Sequence, residues 1–126
     1  MWLFTNRAFL SIVRHSDKPN ILIVRSRFPN HIETVFPGAN VTEDTGTDYR
    51  YRAELNPKEV SEAIAKMVSE IDYDNFKNSL DTNDERYLDC CFDVYNSVAR
   101  NSGDWDFDKF IYGRREPDEE KQVEGE

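Results

Sequence analysis

The 126-residue chain has few cysteines, no clustered glycines and no long apolar run, and each shortage excludes a class of protein. Cys90 and Cys91 are adjacent, so they cannot join separate parts of a fold as the disulfides of small secreted proteins do. No apolar run approaches the roughly 18 residues of a membrane span. Residues 1–6 lack the basic and apolar regions of a secretory signal. We therefore expect a cytoplasmic protein with no membrane partner.

Motifs that hold cofactors or metals are also missing. The five glycines never cluster, so the chain has no phosphate-cradling loop. His15 and His31 do not have the spacing of a zinc motif. Residues 104–115 begin like an EF-hand loop, but Lys109 replaces the required glycine and Arg115 replaces the closing glutamate. The sequence predicts no cofactor and no metal.

Catalytic groups are equally hard to find. Cys91 lies on the apolar stripe of a predicted helix, which is typical of a core cysteine. Cys90 lies outside that stripe, with no basic group nearby in the sequence to activate its thiol. Carboxylates are abundant, but no two of them are marked as a general acid and a general base. The sequence therefore favours a protein that is not an enzyme.

Charge is divided unevenly along the chain. Sixteen basic and twenty-five acidic residues give a net charge of −9. Residues 1–55 carry seven basic and six acidic residues, whereas residues 56–126 carry nine basic and nineteen acidic residues. A net negative charge repels phosphate backbones and anionic lipids, which argues against direct nucleic-acid binding. The acidic half favours a protein partner with a basic surface.

Residues 1–55 have the pattern of an antiparallel sheet. Short β-branched and aromatic runs predict strands at 2–4, 9–13, 21–24 and 48–55, with an edge strand near 41–43. The links between them are short and rich in turn formers, which favours a meander. A short helix at 29–36 is expected to end at Pro37 and Gly38.

Residues 56–126 change to the period of helices. Asn56 and Pro57 form the start of a helix over 57–71, and a second capping pattern predicts a helix over 83–100. The predicted fold is α+β, a two-layer sandwich of four or five antiparallel strands with two main helices packed on one face. Residues 1–113 are expected to form a single domain. Residues 114–126 contain only one aliphatic side chain and are expected to be a disordered acidic tail.

Four arginines are predicted to share the sheet face that the helices leave uncovered. These are Arg25 and Arg27 on the third strand and Arg50 and Arg52 on the last one, where Tyr49 and Tyr51 have the opposite parity. Guanidinium groups suit bidentate binding of phosphate or carboxylate. The alternative is that they pair with Asp48, Glu54 and the helical acids, in contacts worth about 0.2–1 kcal/mol each.

Several segments also carry a resemblance. The opening MWLFTN with FLSIV, the segment VRSR, the segment TDYRYR and the segment IDYDNFK resemble a family of small uncharacterised bacterial and phage-borne proteins. The resemblance covers residues 1 to about 100, and the family brings no established reaction. It implies that the positions to test first are Arg25, Arg27, Asp48, Tyr49, Arg50, Tyr51, Arg52, Asp72, Tyr73, Asn75, Phe76 and Lys77.

These observations leave two functions open. The leading one is a non-catalytic interaction protein, such as a phage- or mobile-element-borne inhibitor that docks on a basic host protein through its acidic helical half. The alternative is a module that binds a small anion or a nucleotide. Its candidate residues are Arg25, Arg27, Arg50 and Arg52, with Tyr49 or Tyr73 for stacking and Asp48, Asp72, Asn75 and Lys77 as further positions. Homo-oligomerisation is left open.

Overall fold

The computed structural model describes residues 1–103 of the chain. The predicted domain end at residue 113 and the predicted tail at 114–126 lie outside these described residues. The described residues fall into two compact units, one over Met1–Asp81 and one that begins at Thr82. The first unit contains a sheet and two α-helices, and the described part of the second contains one α-helix.

Within residues 1–103 the sheet has five strands, and every pair of neighbouring strands is antiparallel. The strands are β1 (Trp2–Phe4), β2 (Phe9–Arg14), β3 (Leu22–Ser26), β4 (Thr42–Glu43) and β5 (Tyr51–Leu55). Their order in the sheet is β1-β2-β3-β5-β4, so β5 lies between β3 and the edge strand β4. The strands form where β-branched and aromatic residues alternate, which confirms the predicted antiparallel sheet.

The helices are α1 (His31–Val35), α2 (Pro57–Ser69) and α3 (Glu85–Asn101), and a short 3-10 helix spans Lys77–Ser79. Asn56 caps the start of α2 through two hydrogen bonds with Glu59. Its Oδ1 accepts from the Glu59 N–H at 2.8 Å, and its Nδ2 donates to Glu59 Oε1 at 2.6 Å. Pro57 occupies the first turn, where no N–H donor is needed. The α+β class predicted from the sequence is confirmed.

One face of the sheet, the first face, holds the core of the first unit. The register aligns Ile12, Val24 and Ala53 across β2, β3 and β5. These side chains pack with Ile32 of α1 and Val60 of α2. Because residues two apart on a strand share a face, the apolar residues at alternate positions all reach this core.

The connection between β4 and β5 departs from the predicted strand over 48–55. Asp44 Oδ1 accepts from the Gly46 N–H at 2.9 Å, which forms a tight turn. The Thr47 hydroxyl donates to the Tyr49 carbonyl at 2.7 Å, a local bond outside the strand ladder. Strand β5 therefore begins only at Tyr51, and the strict alternation does not extend back to Tyr49.

Removing a side chain from this core should destabilise the fold strongly. Ile32 is fully buried, so Ile32→Ala is expected to lower the free energy of unfolding by about 2–5 kcal/mol. Val68 of α2 is 62% exposed, and Val68→Ala should change it by less than about 0.5 kcal/mol. Urea unfolding of both variants measures the difference, and equal losses would contradict this description of the core.

Candidate functional site

The opposite face of the sheet, the second face, carries a row of polar side chains. Ser11 pairs with Arg25, Arg25 pairs with Arg52, and Arg52 pairs with Thr42 in the strand register. Directly paired residues of antiparallel strands point to the same side. Two cationic groups therefore lie side by side across β3 and β5, with a hydroxyl group at each end of the row.

Arg25 and Arg52 form a non-hydrogen-bonded pair, the kind of antiparallel pair in which the Cα atoms are closer together. The His15 N–H donates to the Ile21 carbonyl at 2.9 Å, which fixes the alternation of the ladder between β2 and β3. Hydrogen-bonded positions recur at every second residue, so the backbone N–H and C=O of Arg25 bind Ser11 of β2. No backbone hydrogen bond is then left for the pair of Arg25 with Arg52. Cα atoms in such pairs are only about 4.5 Å apart, and like charges directly opposite each other destabilise a sheet.

No carboxylate in residues 1–103 forms an ion pair with either of these two guanidinium groups. Arg25 Nη2 donates to Ser11 Oγ at 2.7 Å, and Arg52 Nε donates weakly to the Tyr49 carbonyl at 3.4 Å. Within the described residues, Arg25 Nε is buried and has no hydrogen-bond partner. Buried donors of this kind are rare, because an unmade hydrogen bond costs free energy.

Tyr49 contacts the arginines, whereas the alternation of the sequence predicted that it would lie on the first face. Its ring centroid is 4.4 Å from Arg25 Cζ and 4.8 Å from Arg27 Cζ, and the residue is only 6% exposed. Cations within about 6 Å of an aromatic face are attracted to it. These four side chains, Arg25, Arg27, Arg52 and Tyr49, form the arginine cluster.

Asp48 and Glu54 lie close to the cluster in the sequence, and both are engaged by cations other than Arg25 and Arg52. Asp48 contacts Arg27 at 3.6 Å, which offsets one charge of the cluster. Glu54 follows Arg52 on the same face, but it binds Lys18 at 3.1 Å and His15 at 3.0 Å. The hydrogen bond from Lys18 holds the pKa of Glu54 below its usual value, and the charge of His15 adds to the effect. Arg25 and Arg52 thus stay uncompensated beside two occupied acids.

Arg50 lies apart from the other three arginines, contrary to the sequence-based expectation. Its Nε donates to Glu43 Oε1 at 2.7 Å, and its Cζ lies 6.0 Å from the centre of the Tyr51 ring. Glu43 and Tyr51 are paired in the register, and Tyr51 packs against the core on the first face. The contacts of Arg50 are thus with Glu43 and Tyr51 and not with Tyr49 or the row.

The remaining candidate positions lie on the segment that follows α2, beyond the opposite edge of the sheet. Tyr73 contacts Phe76 with ring centroids 6.5 Å apart, and Phe76 contacts Phe4 of the edge strand β1 at 6.3 Å. Strand β2 lies between β1 and the strand that carries Arg25. Asn75 Oδ1 accepts from the Asn78 N–H at 3.1 Å, so this side chain is bound to the backbone of the 3-10 helix that begins at Lys77.

A cleft of about 570 Å³ opens at this β1 edge. Its apolar wall includes Leu3 of β1 together with Ile64 and Met67 of α2, and Asp72 and Tyr73 line its polar side. The cleft contains none of the cluster arginines. Asp72 and Tyr73 therefore belong to a different part of the molecule from Tyr49 and Asp48.

The two cysteines of α3 do not have the environment of a nucleophile. Burial raises the pKa of the Cys91 thiol to about 11. Burial, and then the charge of Asp93, raise the pKa of the Cys90 thiol as well. Both shifts disfavour the thiolate form that nucleophilic catalysis requires.

Comparison with known proteins found no matching family model, no similar curated protein and no similar solved structure. In residues 1–103, no helix combines the length and the apolar character needed to cross a membrane. Across the same range, no three His, Cys, Asp or Glu side chains are grouped so that they could hold a metal ion.

Ser11 and Thr42 are the members of the polar row that sequence reasoning missed. Ser11 lies within an apolar strand and is only 1% exposed, and Thr42 lies on a two-residue edge strand. Their positions follow from the register alone. A signal was present in the alternation of β2, where Ser11 has the opposite parity to the core residues Leu10 and Ile12.

Reversing the charge of one row arginine should relieve the repulsion. Arg52→Glu places a carboxylate opposite Arg25, and we expect it to raise the free energy of unfolding by about 0.2–1 kcal/mol. The matched variant Arg50→Glu breaks the ion pair with Glu43 and creates a like-charged contact, so it should lower that free energy by a similar amount. Urea unfolding at low ionic strength compares the two, and equal losses would contradict the described repulsion.

Proposed function

We propose that this protein is a non-catalytic binding protein whose arginine cluster holds an anionic ligand. One observation carries the proposal: Arg25 and Arg52 are directly opposed in the sheet, and no carboxylate of residues 1–103 is ion-paired with either of them. In a chain with a net charge of −9, acids to offset these cations are plentiful. Two cations kept together without a partner are typical of a site that receives its negative charge from a ligand.

The environment of the cluster strengthens such an interaction. Arg25 and Arg52 are half-buried, so water screens their charges less than it screens exposed ones. Ser11 and the Tyr49 ring hold the Arg25 guanidinium in place before any ligand binds, and the Tyr49 carbonyl accepts from Arg52 Nε at 3.4 Å. A site that is ordered in advance loses less entropy on binding, which favours affinity. Arg27 is 59% exposed and marks the side from which an anion can approach.

The same geometry argues against base stacking on Tyr49. The ring is 6% exposed and already contacts two guanidinium groups, so it has little free face to offer. Tyr73, the second stacking candidate, lies at the β1 edge beside Phe76. The cluster therefore supports recognition of an anionic group and not of a nucleotide base.

Docking on a basic host protein through the acidic half remains a prediction from charge segregation. On α2, Glu62 is paired with Lys58 of the same helix, and Glu70, the residue after its end, is paired with Lys66. Residues 56–103 contain ten acidic and five basic side chains, and the rest of the excess falls in residues 104–126, outside the described part. The observations on α2 thus give this second function no added support.

Binding of an anion at the cluster should stabilise the protein. Inorganic phosphate is the first probe, and a ligand at 100 times its dissociation constant adds roughly 2.7 kcal/mol to the free energy of unfolding. We expect a saturable rise in Tm with the wild-type chain. The double variant Arg25→Gln with Arg52→Gln should remove the saturable part, since both principal donors are gone.

Two controls make this measurement specific. Phosphate stabilises many proteins weakly because it is excluded from their surfaces, and the double variant measures that background. Arg50→Gln removes an arginine that lies outside the cluster, so it should keep the full saturable shift. Equal shifts in the wild type and the double variant would refute the proposed site.

A further inference from the structure

We infer that the arginine cluster selects a doubly charged oxyanion, the dianion of a phosphate monoester, over singly charged anions. The inference rests on the proposed function and specifies the ligand class of the same site. It follows from the charge that the described residues leave uncompensated, from the donors that remain and from the close cross-strand pairing of Arg25 with Arg52.

The charge count favours two negative charges on the ligand. Asp48 offsets Arg27 at 3.6 Å, and Lys18 and His15 engage Glu54. Arg25 and Arg52 then leave two positive charges opposite each other. A single negative charge would leave one of them uncompensated at close range, whereas a dianion offsets both. The difference is large where the site is half-buried, because the effective dielectric constant is lower there than in water.

The free donors fit an anion with more than two acceptor oxygens. Each guanidinium has five N–H donors, and Arg25 and Arg52 each use one, on Ser11 and on the Tyr49 carbonyl. Apart from the buried Nε of Arg25, the others are donors that have no acceptor within residues 1–103 and can face a ligand. The terminal oxygens of a phosphate monoester are three strong acceptors, and they can bridge two guanidinium groups at once. A carboxylate presents only two oxygens in one plane.

The test uses two phosphate esters that differ in charge. Methyl phosphate is a monoester with a second pKa near 6, so it is mostly a dianion at about pH 7.5, whereas dimethyl phosphate keeps a single charge. We expect calorimetric titration of the wild-type chain to give an affinity for methyl phosphate at least about 10-fold higher than for dimethyl phosphate at that pH. At about pH 5 the dianion fraction is roughly one tenth, and the affinity for methyl phosphate should fall about 10-fold.

Sulfate is the control that separates protonation of the protein from protonation of the ligand. It stays a dianion over this range, so its affinity should hardly change with pH unless groups near the cluster titrate. Those groups are Asp48, beside Arg27, and Glu54 with His15 and Lys18. A fall in sulfate affinity as large as the fall for methyl phosphate would assign the pH effect to the protein and overturn the inference drawn from ligand charge.

Two variants test whether the preference for the dianion depends on the pair of Arg25 with Arg52. Arg52→Gln leaves one uncompensated cation, so methyl phosphate should lose about 10-fold or more in affinity and the preference over dimethyl phosphate should collapse. Arg25→Gln should behave in the same way and serves as the second variant if the first folds poorly. Arg50→Gln should keep both the affinity and the preference, because Arg50 is paired with Glu43 away from the row.

The possible results separate the inference from the function on which it rests. Equal affinities for the two esters, lost in the double variant Arg25→Gln with Arg52→Gln, would overturn the preference for a dianion and keep the anion site. Succinate binding more tightly than methyl phosphate would overturn the phosphate class in favour of a dicarboxylate. Absence of binding by every probe, sulfate included, would overturn the proposed function itself.

Discussion

The antiparallel register of β3 against its two neighbours determines what both faces of the sheet present. Val24 lies between Ile12 and Ala53 on the first face, and one position later Arg25 lies between Ser11 and Arg52 on the second. Because side chains alternate between faces, a slip of one residue would expose the apolar set and bury the arginines. Burial of the apolar side chains therefore enforces the pairing of the two cations.

The relative size of these effects explains how the fold tolerates repulsion at its centre. Like charges opposite each other lower the free energy of unfolding by at most about 1 kcal/mol. Truncating one large core side chain to alanine lowers it by about 2–5 kcal/mol. Leu10 and Val24 are fully buried on the face behind the cluster. Unfavourable contacts at functional sites persist where the surrounding structure is stable enough to hold them. The core and the arginine cluster share β3 and β5 in this way.

The features that local signals encode could be predicted from the sequence. The start of α2 follows from Asn56 and Pro57, and the strands follow from the alternation of apolar residues. The cluster was only partly predictable, because a hydrogen bond inside the β4–β5 connection positions Tyr49 and an ion pair with Glu43 engages Arg50, and strand parity shows neither. Ser11, which accepts the Arg25 hydrogen bond, is brought there by a register between distant residues. Glu54 is engaged by Lys18, which lies 36 positions away in the sequence. The uncompensated charge of Arg25 and Arg52 therefore arises only in the folded chain.

The single residue between β5 and α2 limits how the length of this chain can vary. Leu55 ends the strand, Pro57 begins the helix, and Asn56 supplies the cap between them. An insertion here would turn the apolar stripe of α2 by about 100° against the sheet or break the cap. By contrast, the links at 16–20 and 44–48 are surface turns, which tolerate added residues. Natural or engineered length changes in residues 1–69 should therefore concentrate in those two turns and avoid the junction at Asn56.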